Sequence, residues 1–197
     1  MNTPAKAPRR PSPWRRALLG LLRLCGWRNS FVWPPEPKGI IVVYPHTSNW
    51  DFPIGLTFRI GHDLPANWIG KTEMFHRPFR GLLERLGGIP VDRRRSSGFI
   101  DALVKEFGRR DWMWVAITPE GTRSHTEHIK SGFYQLALAA NVPVVFAYID
   151  YATRTVGMDT YVRFTGDEER DLDVMRRFYA SKRGCRPELA GDIRFRR

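Results

Sequence analysis

Gly39-Ile40-Ile41-Val42-Val43-Tyr44, running on into Pro45-His46-Thr47-Ser48-Asn49-Trp50-Asp51, is the stretch on which the reading of this chain turns. Six uncharged residues, four of them β-branched, read as a strand buried on both faces, as in the interior of a parallel sheet. Pro45 biases Tyr44 toward extended backbone, so the strand runs straight up to His46. Ser48 or Asn49 is then placed to cap a following helix. On a continuous helix, residues five apart point about 140° away from each other. His46 and Asp51 therefore meet only if a loop carries the histidine into the helix's first turn. An aspartate accepting from one imidazole nitrogen fixes the tautomer and leaves the other nitrogen free to take a proton from a hydroxyl. Taken alone the spacing also fits a purely structural pair, although sites gather at strand ends in open parallel sheets.

Outward from this strand, short apolar runs alternate with helical patterns. Further strands are expected near Asn67–Gly70, Ile89–Val91, Trp112–Thr118 and Val142–Ile149, with Thr160–Thr165 as an edge strand. Helices are expected near Trp50–Arg59, Phe79–Leu86, Phe99–Arg109, Gly132–Ala140 and Glu168–Lys182. The alternation predicts an α/β fold: a mostly parallel central sheet flanked by helices, with a short N-terminal amphipathic helix. That helix is read from Trp14, Ala17, Leu18, Leu21, Leu22 and Cys25, which share a face, with Gly26 as its stop. The expected organisation is a basic arm over residues 1–13, an amphipathic interfacial helix and linker over 14–37, an α/β core over 38–166, and a C-terminal helix and basic tail over 167–197. No internal repeat is present.

The 197 residues carry a net charge of +12, with 42% hydrophobic residues, enough apolar area for a core. The charge is at the ends: residues 1–28 carry +7, residues 176–197 carry +6, and the 147 residues between carry −1. Such ends suit anionic lipid headgroups, nucleic acid phosphates or solubility alone. The apolar stretch Ala17–Trp27 contains Arg23 and falls short of the ~20 residues a bilayer crossing needs. The same arginine interrupts what would be a signal peptide's apolar region, and Cys25 and Cys185 suggest neither a disulfide scaffold nor a cysteine-ligated metal. There is no Gly-x-Ser-x-Gly elbow and no Gly-x-x-x-x-Gly-Lys phosphate loop. His125 and His128 would share a helix face, but no third ligand accompanies them at a recognisable spacing, so no metal is expected. Trp112 and Trp114 alternate on a strand and read as core.

Two more constellations carry chemistry. Thr118-Pro119-Glu120-Gly121-Thr122-Arg123-Ser124 follows a buried strand, with a glycine that admits close backbone approach, two hydroxyls and a planar guanidinium suited to phosphate. The plain alternative is a tight turn with a solvated arginine. Gly88-Ile89-Pro90-Val91-Asp92-Arg93, followed by Arg94 and Arg95, offers further cations for a phosphate, or only a wet surface.

In this order and at these separations, the stretches resemble the blocks of the glycerolipid acyltransferase family, whose familiar member is 1-acylglycerol-3-phosphate acyltransferase. His46 and Asp51, four residues between them, match its first block. Lys71-Thr72-Glu73-Met74-Phe75 through Pro78, Gly81 and Leu82 to Arg93 resembles the second, Pro119–Ser124 the third, and Val142-Pro143-Val144-Val145 the fourth. The likeness covers roughly residues 38–150 and departs from the pattern at Pro45, where the family usually has asparagine, and at Phe146, where a second proline is common. Phe146 is thereby expected to reshape the acyl or acceptor pocket. The chain is also short for the family.

The resemblance implies an O-acyltransferase with His46 as general base and Asp51 as its orienting acid. Substrate binding would fall to Arg93, Glu120, Gly121, Thr122, Arg123, Lys71 and Lys130. No cofactor is implied, because acyl-CoA or acyl carrier protein serves as donor substrate. The expected partners are that donor, a lysophospholipid-like acceptor and an anionic membrane surface, with no nucleic acid, at the cytoplasmic face of the inner membrane. Three alternatives stay open: a non-phosphate lyso-lipid acceptor such as a lyso-aminolipid, a catalytically inactive basic membrane-binding module, and hydrolysis with water as acceptor.

Overall fold

The computed structural model describes residues 12–91 and 98–196. A seven-stranded sheet is built from β1 (Arg28–Phe31), β2 (Lys38–Val43), β3 (Ala66–Lys71), β4 (Gly88–Val91), β5 (Met113–Ile117), β6 (Val144–Asp150) and β7 (Thr155–Val162), in the order β1-β7-β6-β2-β5-β3-β4. Five strands, β6 to β4 in that order, run parallel; β7 is antiparallel to β6, and β1 is parallel to β7. The mostly parallel α/β sheet is as expected.

Helices α1 (Pro13–Leu24), α2 (Asp51–Gly61), α3 (Arg80–Arg85), α4 (Phe99–Arg109), α5 (Gly132–Ala140) and α6 (Glu168–Tyr179) connect or cover the strands. Alternation along β2 sends Ile40 and Val42 into one apolar core with residues of α4, α5 and α6. Ile41 goes to the opposite face, into a core shared with Leu22 of α1 and Phe58 of α2. Trp114 of β5 is fully buried on that face and lies over Gly39, its partner across the ladder, so close that any side chain at 39 would overlap the indole. Trp112 packs against the same core.

Several expectations are corrected. The segment expected to be a linker contributes β1, which is the edge of the sheet; the strand expected at Thr160–Thr165 starts at Thr155 and is interior, between β1 and β6. β1 leaves no hydrophobic pattern to read, because three of its four side chains, those of Arg28, Asn29 and Ser30, are polar. The C-terminal region is not an appendage to a separate core: Leu172, Met175 and Tyr179 of α6 and Phe195 beyond it are buried in the first core. The helix near Trp50 starts at Asp51 with Trp50 at its cap position; Ser48 instead accepts from the Trp50 N–H, 3.2 Å away. His125 and His128 lie in irregular chain rather than on a helix.

Beyond α6 the chain crosses the carboxyl ends of β6, β2 and β5 in turn. Arg183 N–H donates to Asp150 at 3.1 Å, Arg186 N–H to Thr47 Oγ1 at 3.1 Å, and Ile129 N–H to Asp192 O at 3.1 Å, while Gly191 O accepts from the Tyr44 hydroxyl at 2.8 Å. These bonds tie the loops that follow three strands into one rigid rim.

Candidate active site

β2 delivers His46 three residues past its end, in a loop that enters α2 at Asp51. The loop solves the geometry a helix forbids: His46 Nδ1 and Asp51 Oδ2 are 3.0 Å apart, with Asp51 almost fully buried and His46 largely so. The approach lies off the ring's N–H axis, an alignment that commonly improves when substrate binds. Asp51 Oδ2 also accepts from Ser48 N–H at 3.0 Å, and its Oδ1 from the Tyr151 hydroxyl at 2.7 Å. With Nδ1 turned to the carboxylate, Nε2 is the nitrogen left for a substrate proton.

The loop after β5 meets the same place. A turn closed by Gly121 N–H on Thr118 O, with Gly121 in the left-handed region at φ +68°, brings Glu120 against the histidine's backbone. Glu120 is 1% exposed and accepts from His46 N–H at 2.8 Å. Burial pushes its carboxyl up to about 7, with Asp51 adding to the rise and the backbone N–H groups of His46 and Gly191 opposing it. Thr122 Oγ1 accepts from Ser124 N–H at 3.1 Å, which shapes the loop toward Arg123.

His46 and Asp51 open onto a cavity of about 450 Å³ between α2 and the sheet, within the size range of small-molecule sites. Its far wall is apolar, with Ile41, Ala116, Ala147 and Met158 from four strands and Leu56 from α2. Its polar end gathers Lys71, Gly121, Thr122 and Arg123. Arg123 Nε is buried there without a hydrogen-bond partner among the described residues.

Of the residues expected at a site, the structure thus brings together His46, Asp51, Lys71, Gly121, Thr122 and Arg123. Glu120 is next to them but off the cavity wall, holding the histidine's backbone; Lys130 is also off the wall, its N–H donating to Pro119 O at 2.9 Å. Arg93 lies outside the described residues. Phe146 does not face the cavity: it is buried on the other side of the sheet against Phe178 and Tyr179. Pro45 packs toward Gly184, and with no N–H at 45 the first donor of the loop is His46, which Glu120 satisfies. Sequence reasoning missed Tyr151, whose only signal was its place just beyond the carboxyl end of a buried strand. Among the described residues no three His, Cys, Asp or Glu side chains are grouped to hold a metal.

A buried strand thus delivers a histidine to an aspartate, beside a glycine-turned acidic loop and over an apolar cavity. The model of the Acyltransferase family matches residues 34–150, and the chain belongs to that family: it is an acyltransferase. Among solved structures, the fold is similar to the 1-acyl-sn-glycerophosphate (LPA) acyltransferase PlsC from Thermotoga maritima, with a TM-score of 0.58 and 17% identity over 84% of this chain and 76% of that one. None of the curated proteins matches the chain in sequence.

Proposed function

We propose that the chain transfers an acyl group from an acyl thioester to the hydroxyl of a lysophospholipid of the 1-acylglycerol-3-phosphate type, with His46 as general base. The observation that carries the reading is the 3.0 Å approach of His46 Nδ1 to a buried Asp51 at the mouth of an apolar cavity whose polar end holds Lys71 and Arg123. His46 Nε2 takes the acceptor's proton as that oxygen attacks the thioester carbon, and the thiol leaves with a proton returned by the imidazolium. No covalent acyl-enzyme is needed, so no serine or cysteine nucleophile is required. The Arg123 guanidinium, whose Nε has no partner among the described residues, and Lys71 suit an acceptor phosphate, and the apolar wall suits an acyl chain. The Thermotoga maritima enzyme of similar fold is an acyltransferase of a phosphorylated lyso-lipid, 1-acyl-sn-glycerophosphate, which favours the same acceptor class here.

The donor is acyl-CoA or acyl carrier protein, and the enzyme works at the cytoplasmic face of the inner membrane. Among the described residues no helix is long and apolar enough to cross a bilayer. Helix α1 instead packs Leu22 inward and exposes Trp14, Leu21 and Leu24, while Trp50 in the loop after β2, Phe79 at the start of α3 and Leu82 within it are also exposed. Large apolar residues among exposed arginines such as Arg16 and Arg23 suit an anionic interface.

The test is incubation with a labelled acyl thioester and a total lipid extract, followed by mass identification of the product. An acylated phosphate-bearing lyso-lipid is the expected product, and His46→Ala is expected to lose about 10²- to 10⁴-fold in rate while folding normally. Full transfer by a folded His46→Ala protein rejects the mechanism; free fatty acid released equally with and without acceptor means hydrolysis. Flotation with neutral and anionic vesicles tests the membrane surface: preferential recovery with the anionic ones is expected, and equal recovery removes charge from the account.

A further inference from the structure

From the contacts around Asp51 we infer that Tyr151 is a positioning residue of the His46–Asp51 pair, setting the direction and strength of the carboxylate that the histidine uses. The inference rests on the general-base reading above. Asp51 is 4% exposed, so water has little access to its carboxylate. One oxygen, Oδ2, is shared by His46 Nδ1 at 3.0 Å and Ser48 N–H at 3.0 Å. The other, Oδ1, accepts from the Tyr151 hydroxyl at 2.7 Å. Without that hydroxyl a buried anionic oxygen loses its donor, and the carboxylate is free to turn away from the imidazole.

Tyr151 is itself held at its backbone, its ring and its hydroxyl, which the Ser48 side chain also meets. Its backbone N–H donates to Arg183 O at 2.9 Å, its ring stands edge-on to Trp27 at 5.1 Å between centroids, and its hydroxyl is on Asp51. It is absent from the cavity wall, so it acts through Asp51 and not on substrate. Burial first, then the hydrogen bond and charge of Asp51, push its phenol well above the ordinary value, so it remains a donor throughout the working pH range.

The other titratable or charged groups about the pair are Glu120 from the loop after β5, Arg123 and Lys71 on the cavity wall, and Cys185, which faces Tyr151 from the C-terminal crossing. None of them donates to Asp51 Oδ1. Removing the phenol hydroxyl alone therefore leaves Asp51 Oδ1 without its donor and loosens the orientation of both Asp51 and His46.

Tyr151→Phe keeps the ring and its packing on Trp27. With a long-chain acyl-CoA and lysophosphatidate, or the lyso-lipid identified from the extract, kcat is expected to fall about tenfold. The acceptor's KM is expected to stay within about twofold, so that the loss lies in kcat. In an Asp51→Asn background the same change is expected to add no further loss. An unchanged rate, a loss carried by the acceptor's KM with kcat kept, or a loss that multiplies fully with Asp51→Asn overturns the inference. If His46→Ala keeps full activity, the base reading falls and Tyr151 falls with it; if His46→Ala is inactive and Tyr151→Phe is normal, only the role of Tyr151 falls.

Discussion

The two faces of the sheet are built from the same strands and do different work. On the face covered by α4, α5 and α6, large side chains fill the space: Phe133 of α5, Phe146 of β6 and Met175 of α6 are at most 1% exposed, and aromatic rings meet at 5 to 6 Å between β6 and α6 and between α5 and Phe195. On the face covered by α1 and α2, the central strands present Ala116 and Ala147, and about 450 Å³ stays open beneath α2. A close-packed interior leaves few voids larger than a water molecule. The emptiness on one face is therefore a property of the side chains chosen there, while the other face carries the stability that lets it be empty.

That comparison breaks most visibly at Phe146. Truncation to alanine on the filled face removes a ring packed on Phe178 and Tyr179, and is expected to cost about 3–5 kcal/mol in chemical denaturation. The folded fraction should keep the wild-type chain-length preference, since Phe146 is off the cavity wall; an altered preference would mean that the two faces are coupled.

Between the faces, at the sheet's carboxyl edge, Glu120 ties the loop after β5 to His46. Folded Glu120 holds its proton up to about pH 7, against an ordinary value of 4.5. The folded state therefore binds more protons than the unfolded one across that window, and this group's contribution falls as pH rises from 4.5 to 7. Glu120→Gln keeps an acceptor for His46 N–H and carries no charge. Its stability relative to wild type is expected to rise between pH 5 and pH 8 by at most about 3 kcal/mol. A difference that is flat with pH in paired thermal melts would show that the carboxyl is solvated.

How much of this was legible depends on the length of each signal. β2, α4 and α5 are long, apolar and periodic, and their positions follow from pattern alone. The His46–Asp51 contact was legible because strand, proline and helix start confine six residues to a narrow loop. β1 was not: its four residues hold their place only by pairing with β7, a partner more than 120 residues away. The contacts of Tyr151 and Gly191 with the site were hidden for the same reason, since each joins segments far apart in sequence. Nothing in the order Val-Val-Phe-Ala says which of Phe146 and Ala147 faces the cavity; the register with β2 decides it.

The hollow face offers a graded test at Gly55. This residue of α2 lines the cavity, and a β-carbon there would meet only Ile149, at 3.9 Å. Gly55→Val puts its methyl groups into space that the acyl chain is proposed to use. Rates with the longest donors are expected to drop about tenfold relative to short ones, the discrimination typical of one or two methylenes. A uniform loss across chain lengths would place the acyl chain elsewhere.

The smallest effect on the fold is expected on α1, where residues two apart have opposite surroundings. Leu22 is 6% exposed and packs with Phe58 and the sheet, whereas Leu24 is 87% exposed. Since surface substitutions away from special features usually stay within about 0.5 kcal/mol, Leu24→Ser should leave the melting curve in place. Burying a leucine side chain in an apolar phase is worth about 1.5–3 kcal/mol, so the same change should weaken vesicle binding roughly tenfold or more if Leu24 enters the interface. Leu22→Ser should do the reverse, lowering stability while leaving the outward stripe intact. Binding that survives Leu24→Ser unchanged would confine the membrane contact to charge, and would leave the outward leucines of α1 without a role at the surface.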